Sequence, residues 1–257
     1  MNNNQSKVSV ITVVYNDVSN IEETILSVIN QDYPNIEYVV IDGGSSDGTI
    51  ELIKRYEYKL AYYLSEPDNG IYDAMNKGIV KVKGQLVNFM NSGDTFYEND
   101  TVSKVMKMYD QKSDVIYGDS RRFFRHEVII DRARLSTLNY MPNCHQAFFV
   151  KSKLLKENLF ETSYKICADA KFFYDAYNSG NKFQYIPVVI CNYDNTDGVS
   201  SRNMTLQVRE IARIENKDKT LLWKINYTLF LTKLLIRMIT PKFLLQLYRI
   251  FKNRLKS

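Results

Sequence analysis

Two carboxylates stand directly after apolar runs. Asp42 closes "VVID" and is followed by two glycines, and Asp94 closes the turn "NSGD" that follows Leu86–Met90. A carboxylate at a strand end can accept a hydrogen bond from a ribose hydroxyl or a base N–H, and adjoining glycines let the ligand approach the backbone. Asp47, a little further on, has the plainer task of capping the next helix. Composition excludes thiolate–imidazole metal chemistry: the two histidines, His126 and His145, and the three cysteines, Cys144, Cys167 and Cys191, share no zinc-type spacing. A metal in this protein is therefore bound by oxygen, and the cysteines read as reduced structural thiols. Neither G-x-G-x-x-G nor G-x-x-x-x-G-K-[ST] occurs, which argues against a dinucleotide oxidoreductase and a P-loop enzyme.

The elements that would position these residues alternate. Val8–Val14, Ile36–Ile41, Leu60–Leu64 and Leu86–Met90 read as strands. Ser19–Asn30, Thr49–Tyr56 and Ile71–Val82 have apolar residues at helical spacing. Such alternation predicts an α/β fold with parallel strands covered on both faces, and ligands in open sheets of this kind bind beyond the carboxyl ends of the strands. Those ends carry Thr12–Asn16, Asp42–Asp47, Glu66–Asn69 and Asn91–Asp94. The second half is less regular. Strands are expected at Asp114–Tyr117, Phe123–Ile130 and Phe183–Tyr193, the last as one or two pieces, with short helices at Lys151–Asn158 and Asp169–Tyr177.

Four segments, "VSVITVVYND", "VVIDGGSSDGT", "SEPDNGIYDAMNKGI" and "FMNSGD", occur in an order and at intervals that resemble the nucleotide-binding half of family 2 glycosyltransferases with the GT-A fold, of the bacterial surface-polysaccharide type. The resemblance is strong over residues 7–110 and continues more weakly through "NCHQAFFV" and "ICADAKFF" to "DGVSS". It implies a Rossmann-like, mostly parallel central sheet and transfer of a sugar from a nucleotide diphosphate sugar, UDP-sugar being favoured, with inversion at the anomeric carbon. Carried over by motif, Thr12, Val14, Tyr15, Asp42 and Asp73 serve the nucleoside. Asn91, Ser92 and Gly93 serve the donor, Asp94 holds Mn²⁺ or Mg²⁺, and His145 and Gln146 contact acceptor or diphosphate. Asp169 is the general base, its alternative being an acid favoured at a helix N-terminus. Many relatives carry D-x-D where this chain has Asn91 to Asp94, so one carboxylate replaces two. A hard cation tolerates this when phosphates and water complete its shell. The loop Thr196–Ser201 could close over the donor, with Gly198 as its flexible point.

Charge is unevenly distributed. Of 34 Lys and Arg, nine follow residue 218, where no Asp or Glu occurs, so the first 218 residues carry −4 and the tail +9. Helices are expected at Met204–Asn216, at Leu221–Ile239 and from Pro241 to about Leu255. The mixture of Lys and Arg with Leu, Ile and Phe in the tail points to an anionic membrane surface and away from nucleic acid. The expected organisation is a catalytic domain over 1–218, with a donor half at 1–110 and an acceptor half at 111–218, followed by amphipathic helices over 219–257. With no secretion signal evident, the expected location is cytoplasmic, peripheral on the inner face of the cell membrane. Q-x-x-R-W is absent, so transfer is expected one sugar at a time, to a lipid-linked saccharide. The rival reading is a catalytically silent scaffold that binds nucleotide sugar in a polysaccharide assembly complex.

Overall fold

The computed structural model describes residues 6–124, 127–135, 141, 143–194 and 203–239. In chain order the elements begin β1 (Val8–Val14), α1 (Ile21–Ile29), β2 (Ile36–Asp42), α2 (Thr49–Arg55), β3 (Tyr62–Ser65), α3 (Ile71–Ile79) and β4 (Leu86–Phe89). Every residue of β1 is buried, as its unbroken β-branched run demands of a strand covered on both faces. It lies parallel to β2 on one side and to β4 on the other, and β2 lies parallel to β3. The register aligns Val14 with Asp42 and Asp42 with Ser65, so the polar strand ends form one row. At the other end of the sheet the buried Glu37 carboxylate accepts hydrogen bonds from Ser9 Oγ (2.5 Å), Lys83 N (2.6 Å) and Gly84 N (3.2 Å). That carboxylate ties a turn to the sheet, and its donors are all the protein's own.

Beyond β4 the parallel pattern stops. β5 (Thr95–Phe96), α4 (Thr101–Met108), β6 (Val115–Phe124), β7 (Glu127–Asp131), β8 (Phe148–Lys151), α5 (Ser152–Glu157), α6 (Ala168–Asn178) and β9 (Phe183–Asp194) follow. The sheet order is β3-β2-β1-β4-β8-β6-β9-β5, with β7 hairpinned onto β6. β8 runs antiparallel to both β4 and β6, β9 parallel to β6, and β5 antiparallel to β9. The short segments expected at Asp114–Tyr117 and Phe123–Ile130 are in fact one ten-residue strand and its hairpin partner. Phe183–Asp194 is a single strand that absorbs register shifts opposite Tyr117 to Ser120. A tight 3₁₀ turn, His145–Ala147, leads into β8.

The chain divides into two compact units, Met1–Asn203 and Met204–Ser257. The division thus falls earlier than the change in charge at residue 218, and the second unit takes in α7 (Met204–Ile214) as well as α8 (Leu221–Ile239). The loop Thr196–Ser201 and the helix expected from Pro241 lie outside the described residues.

Candidate active site

Asp42, at the end of β2, is completely buried. Its Oδ2 accepts from Gly44 N (3.0 Å), Ser45 N (3.0 Å) and Ser65 Oγ (2.6 Å), holding the glycine loop against β3. Its Oδ1 is buried and has no donor. A buried acceptor left unpaired costs about 1–3 kcal/mol, a cost that a ligand N–H or O–H would remove. The Gly43 backbone lies so close to Asp68 that an added Cβ would stand 2.5 Å from Asp68 Oδ2 and 3.3 Å from the Tyr15 ring. Tyr15 is 64% exposed beside this loop. Asp68, half-buried with its Oδ1 accepting Gly70 N (2.8 Å), is a carboxylate that motif reading passed over in favour of Asp73. The signal was the strand-end position of Glu66–Asn69.

Three expected donor contacts have other duties. Thr12 is fully buried, and its Oγ1 donates to Met90 O (2.7 Å) and lies 3.0 Å from Tyr38 Oη, so it joins β1 to its neighbours. The Val14 side chain is buried, and its carbonyl accepts Gly43 N (2.9 Å). Asp73 Oδ2 accepts Asn69 N (2.9 Å) at the start of α3, the work of a helix-capping acid. Asp47 behaves as expected, its Oδ1 accepting Thr49 N (3.0 Å), and the Thr49 hydroxyl holds its carboxyl below the usual range.

The turn after β4 is fastened from α1 and the loop before it. Ser92 Oγ donates to Asp17 Oδ2 (2.6 Å), Gly93 N donates to Thr24 Oγ1 (3.0 Å), and Thr24 Oγ1 donates to Asp94 O (2.8 Å). Gly93 has φ +91°, which is why a glycine stands there. From this turn two contacts run to the 3₁₀ turn. Gln146 Nε2 donates to Asp94 Oδ2, and Asn91 Nδ2 lies 2.9 Å from His145 Nε2. His145 Nδ1 is in turn 3.0 Å from Asp169 Oδ2. Asp169, in the first turn of α6, is buried, and its Oδ1 accepts Tyr72 Oη (2.9 Å) and Ala170 N (2.8 Å). Burial, and secondarily the charge on Asp169, raises the Tyr72 phenol well above its usual value, so Tyr72 remains a donor.

Asp94 and Asp169 are therefore linked to one turn, through Gln146 and His145 respectively. His145 and Gln146 differ from expectation: both are largely buried, and both engage protein carboxylates. Cys144 Sγ and Cys191 Sγ, 47 positions apart in the chain, lie 3.5 Å from one another, and burial raises the Cys191 thiol, keeping it protonated.

An oxygen-binding cation fits at Asp94. The Gln146 side chain that meets this carboxylate has a buried Oε1 without a donor, and Asn91 Oδ1, three residues before Asp94, is likewise buried without one. Among the described residues no three His, Cys, Asp or Glu side chains form a metal-holding group, so phosphate and water would have to complete the shell.

The family model for glycosyl transferase family 2 matches residues 9–176, a stretch that includes every residue of this chain of contacts. The chain belongs to glycosyl transferase family 2. An uncharacterized glycosyltransferase of Mycobacterium tuberculosis is 33% identical over 223 residues, covering 80% of this chain and 82% of the relative. A PGL/p-HBAD biosynthesis glycosyltransferase of Mycobacterium bovis is 30% identical over 185 residues, 68% of this chain and 72% of the relative. Among solved structures, S. aureus TarS 1-349 in complex with UDP matches with a TM-score of 0.66 at 24% identity, over 81% of this chain and 65% of that one. The mannosyltransferase PcManGT of Pyrobaculum calidifontis, with GDP-Man and Mn²⁺, gives 0.66 at 18% identity, over 84% and 64%. This family 2 chain thus spans just under two thirds of each of those two structures, and the likeness identifies its sheet as the GT-A fold.

Proposed function

We propose that this family 2 glycosyltransferase moves one sugar per binding event from a nucleotide diphosphate sugar, a UDP-sugar by default, to a hydroxyl of a lipid-linked saccharide in bacterial surface-glycan assembly. The observation that carries the reading is the junction of Asp94, in the turn after the donor-side strand β4, with Asp169, at the start of α6, through the turn that holds His145 and Gln146. The nucleoside is received by Tyr15, Asp68 and the open Oδ1 of Asp42. The acceptor oxygen attacks the anomeric carbon opposite the diphosphate, the bond from that carbon to the phosphate oxygen breaks with its electron pair leaving on the diphosphate, and configuration inverts. The acceptor's proton passes to Asp169 Oδ2, the oxygen that His145 Nδ1 meets at 3.0 Å. Mn²⁺ or Mg²⁺ on Asp94, when bound, would neutralise charge on the departing diphosphate.

The acceptor class and the location at the inner membrane face rest on α8. At about 3.6 residues per turn, Leu221, Leu222, Ile225 and Leu229 share one exposed face, with Lys224 and Lys233 on its two borders. No helix among the described residues is long and apolar enough to cross a membrane. The relatives' roles in the naming of PGL/p-HBAD biosynthesis and in complexes with UDP or GDP-Man agree with a surface-glycan donor reaction.

The test is a thermal-shift screen of the full chain against UDP, GDP, CMP and dTDP sugars, with and without Mn²⁺, since a ligand of the native state raises stability by RT ln(1 + [L]/Kd). One nucleotide should stabilise the protein, more so with Mn²⁺, and Asp94→Asn should abolish the metal increment. Absence of any shift would favour a scaffold that does not take the donor by itself.

A further inference from the structure

His145 and Gln146 are consecutive residues of the 3₁₀ turn, and each meets a different carboxylate, His145 Nδ1 lying 3.0 Å from Asp169 Oδ2 and Gln146 Nε2 donating to Asp94 Oδ2. The turn is itself anchored: Asn88 Nδ2, in β4, donates to Gln146 O (2.8 Å) and to Phe148 O (2.9 Å). Asn91 meets His145 Nε2, and two sets of polar contacts, Asp94 with Gln146 and His145 with Asp169 and Tyr72, are joined through the backbone of the turn. With the Asn91 amide N–H on Nε2, the imidazole proton belongs on Nδ1 and points at Asp169.

We propose that this turn is a spacer that sets the distance between the two working carboxylates, with His145 orienting Asp169 and Gln146 orienting Asp94. The inference rests on the roles given above to Asp94 and Asp169. His145 and Gln146 are positioning residues and make no substrate contact. By holding Asp94 Oδ2, Gln146 fixes the orientation of that carboxylate, and by occupying one side of Asp169 Oδ2, His145 fixes the direction from which that oxygen accepts a proton. Partners of this kind typically alter affinity or activity about 10–100-fold when removed.

Three readouts separate this from a contact role. The first needs no ligand: in ¹⁵N-histidine spectra of the full chain, with His126→Gln removing the second histidine, His145 should be in the Nδ1–H form and lose that preference in Asp169→Asn. An Nε2–H ring would overturn the proposal. The second is release of UDP from the UDP-sugar that stabilises the wild type. His145→Ala should lower kcat about 10–100-fold with donor KM changed by less than about twofold, and His145→Asn, whose amide N–H takes the place of Nδ1–H, should recover most of the loss. A raised KM with kcat unchanged, or no recovery by His145→Asn, would show a substrate contact instead. In the third, Gln146→Leu should weaken calorimetric UDP binding about 10–100-fold with Mn²⁺ present and leave it unchanged without metal. Equal weakening in both would remove Gln146 from the proposal. Full turnover in both Asp94→Asn and Asp169→Asn would instead overturn the reading of the site itself. If those two are inactive while the His145 and Gln146 variants match wild type, the spacer alone fails.

Discussion

At the scale of single residues, the sharpest distinction is between carboxylates and hydroxyls that the protein has consumed and those it leaves open. Thr12 and Asp42 are both completely buried at adjoining strand ends, but Thr12 is saturated whereas Asp42 keeps an oxygen without a donor. Thr12→Val should therefore lower unfolding free energy by about 1–2 kcal/mol in urea titrations and leave nucleotide affinity unchanged. A specific loss of nucleotide binding would return Thr12 to the donor site. The buried phenols set a pH limit. Tyr38 and Tyr72 are pushed above the ordinary value of 10.0, in both cases chiefly by burial. The unfolded chain ionises these groups first, so their stabilising effect is intact below pH 10 and is lost as pH rises beyond it. Denaturation midpoints should hold steady up to about pH 9.5 and fall steeply above about pH 10, less steeply in Tyr72→Phe.

Among elements, the loops after β2 and β3 meet where Gly43 admits Asp68. Gly43→Ala should displace that carboxylate and weaken UDP binding roughly tenfold, about 1.4 kcal/mol, by calorimetry. The accompanying loss of stability should be about 1 kcal/mol or less. The parallel half of the sheet could be read from the chain because its strands are contiguous runs such as Val8–Val14 and Ile36–Asp42, punctuated by glycine and asparagine. β5 could not, since two residues carry no periodicity and Thr95 and Phe96 pair with Asn192 and Cys191. The β6–β7 hairpin was hidden because Gly118, Asp119, Ser120, Arg121 and Arg122 interrupt the apolar pattern of β6; Arg122 answers to Asp131 (2.6 Å) across the hairpin. Asp94 and Asp169 were legible from local motifs. Tyr72 was not, because its carboxylate partner lies 97 positions further along the chain, and nothing near "GIYDAM" reveals it.

For the whole molecule, the second unit gives a test of the membrane reading. Replacing Leu221, Leu222, Ile225 and Leu229 by Ser should abolish cosedimentation with vesicles containing anionic lipid, and binding by the unaltered chain should weaken with salt as screening shortens. Unchanged binding of the variant would refute the assignment of this face. Within the first unit, the segment that follows Asp94 is held by the last strand of the sheet: Asn192 Nδ2 donates to Thr95 Oγ1 (3.0 Å), and Tyr97 N donates to Ile190 O (2.9 Å). At about 5–20 residues per second of synthesis, the donor-side strands precede that anchor by roughly 5–20 s. A ribosome-bound chain that has released only its first half carries the loops after β2 and β3 and the Asp17 and Thr24 contacts to the turn after β4, without the strand that holds Thr95 and Tyr97. Such a nascent chain would present its strand-end loops before the far edge of the sheet exists to close beside them.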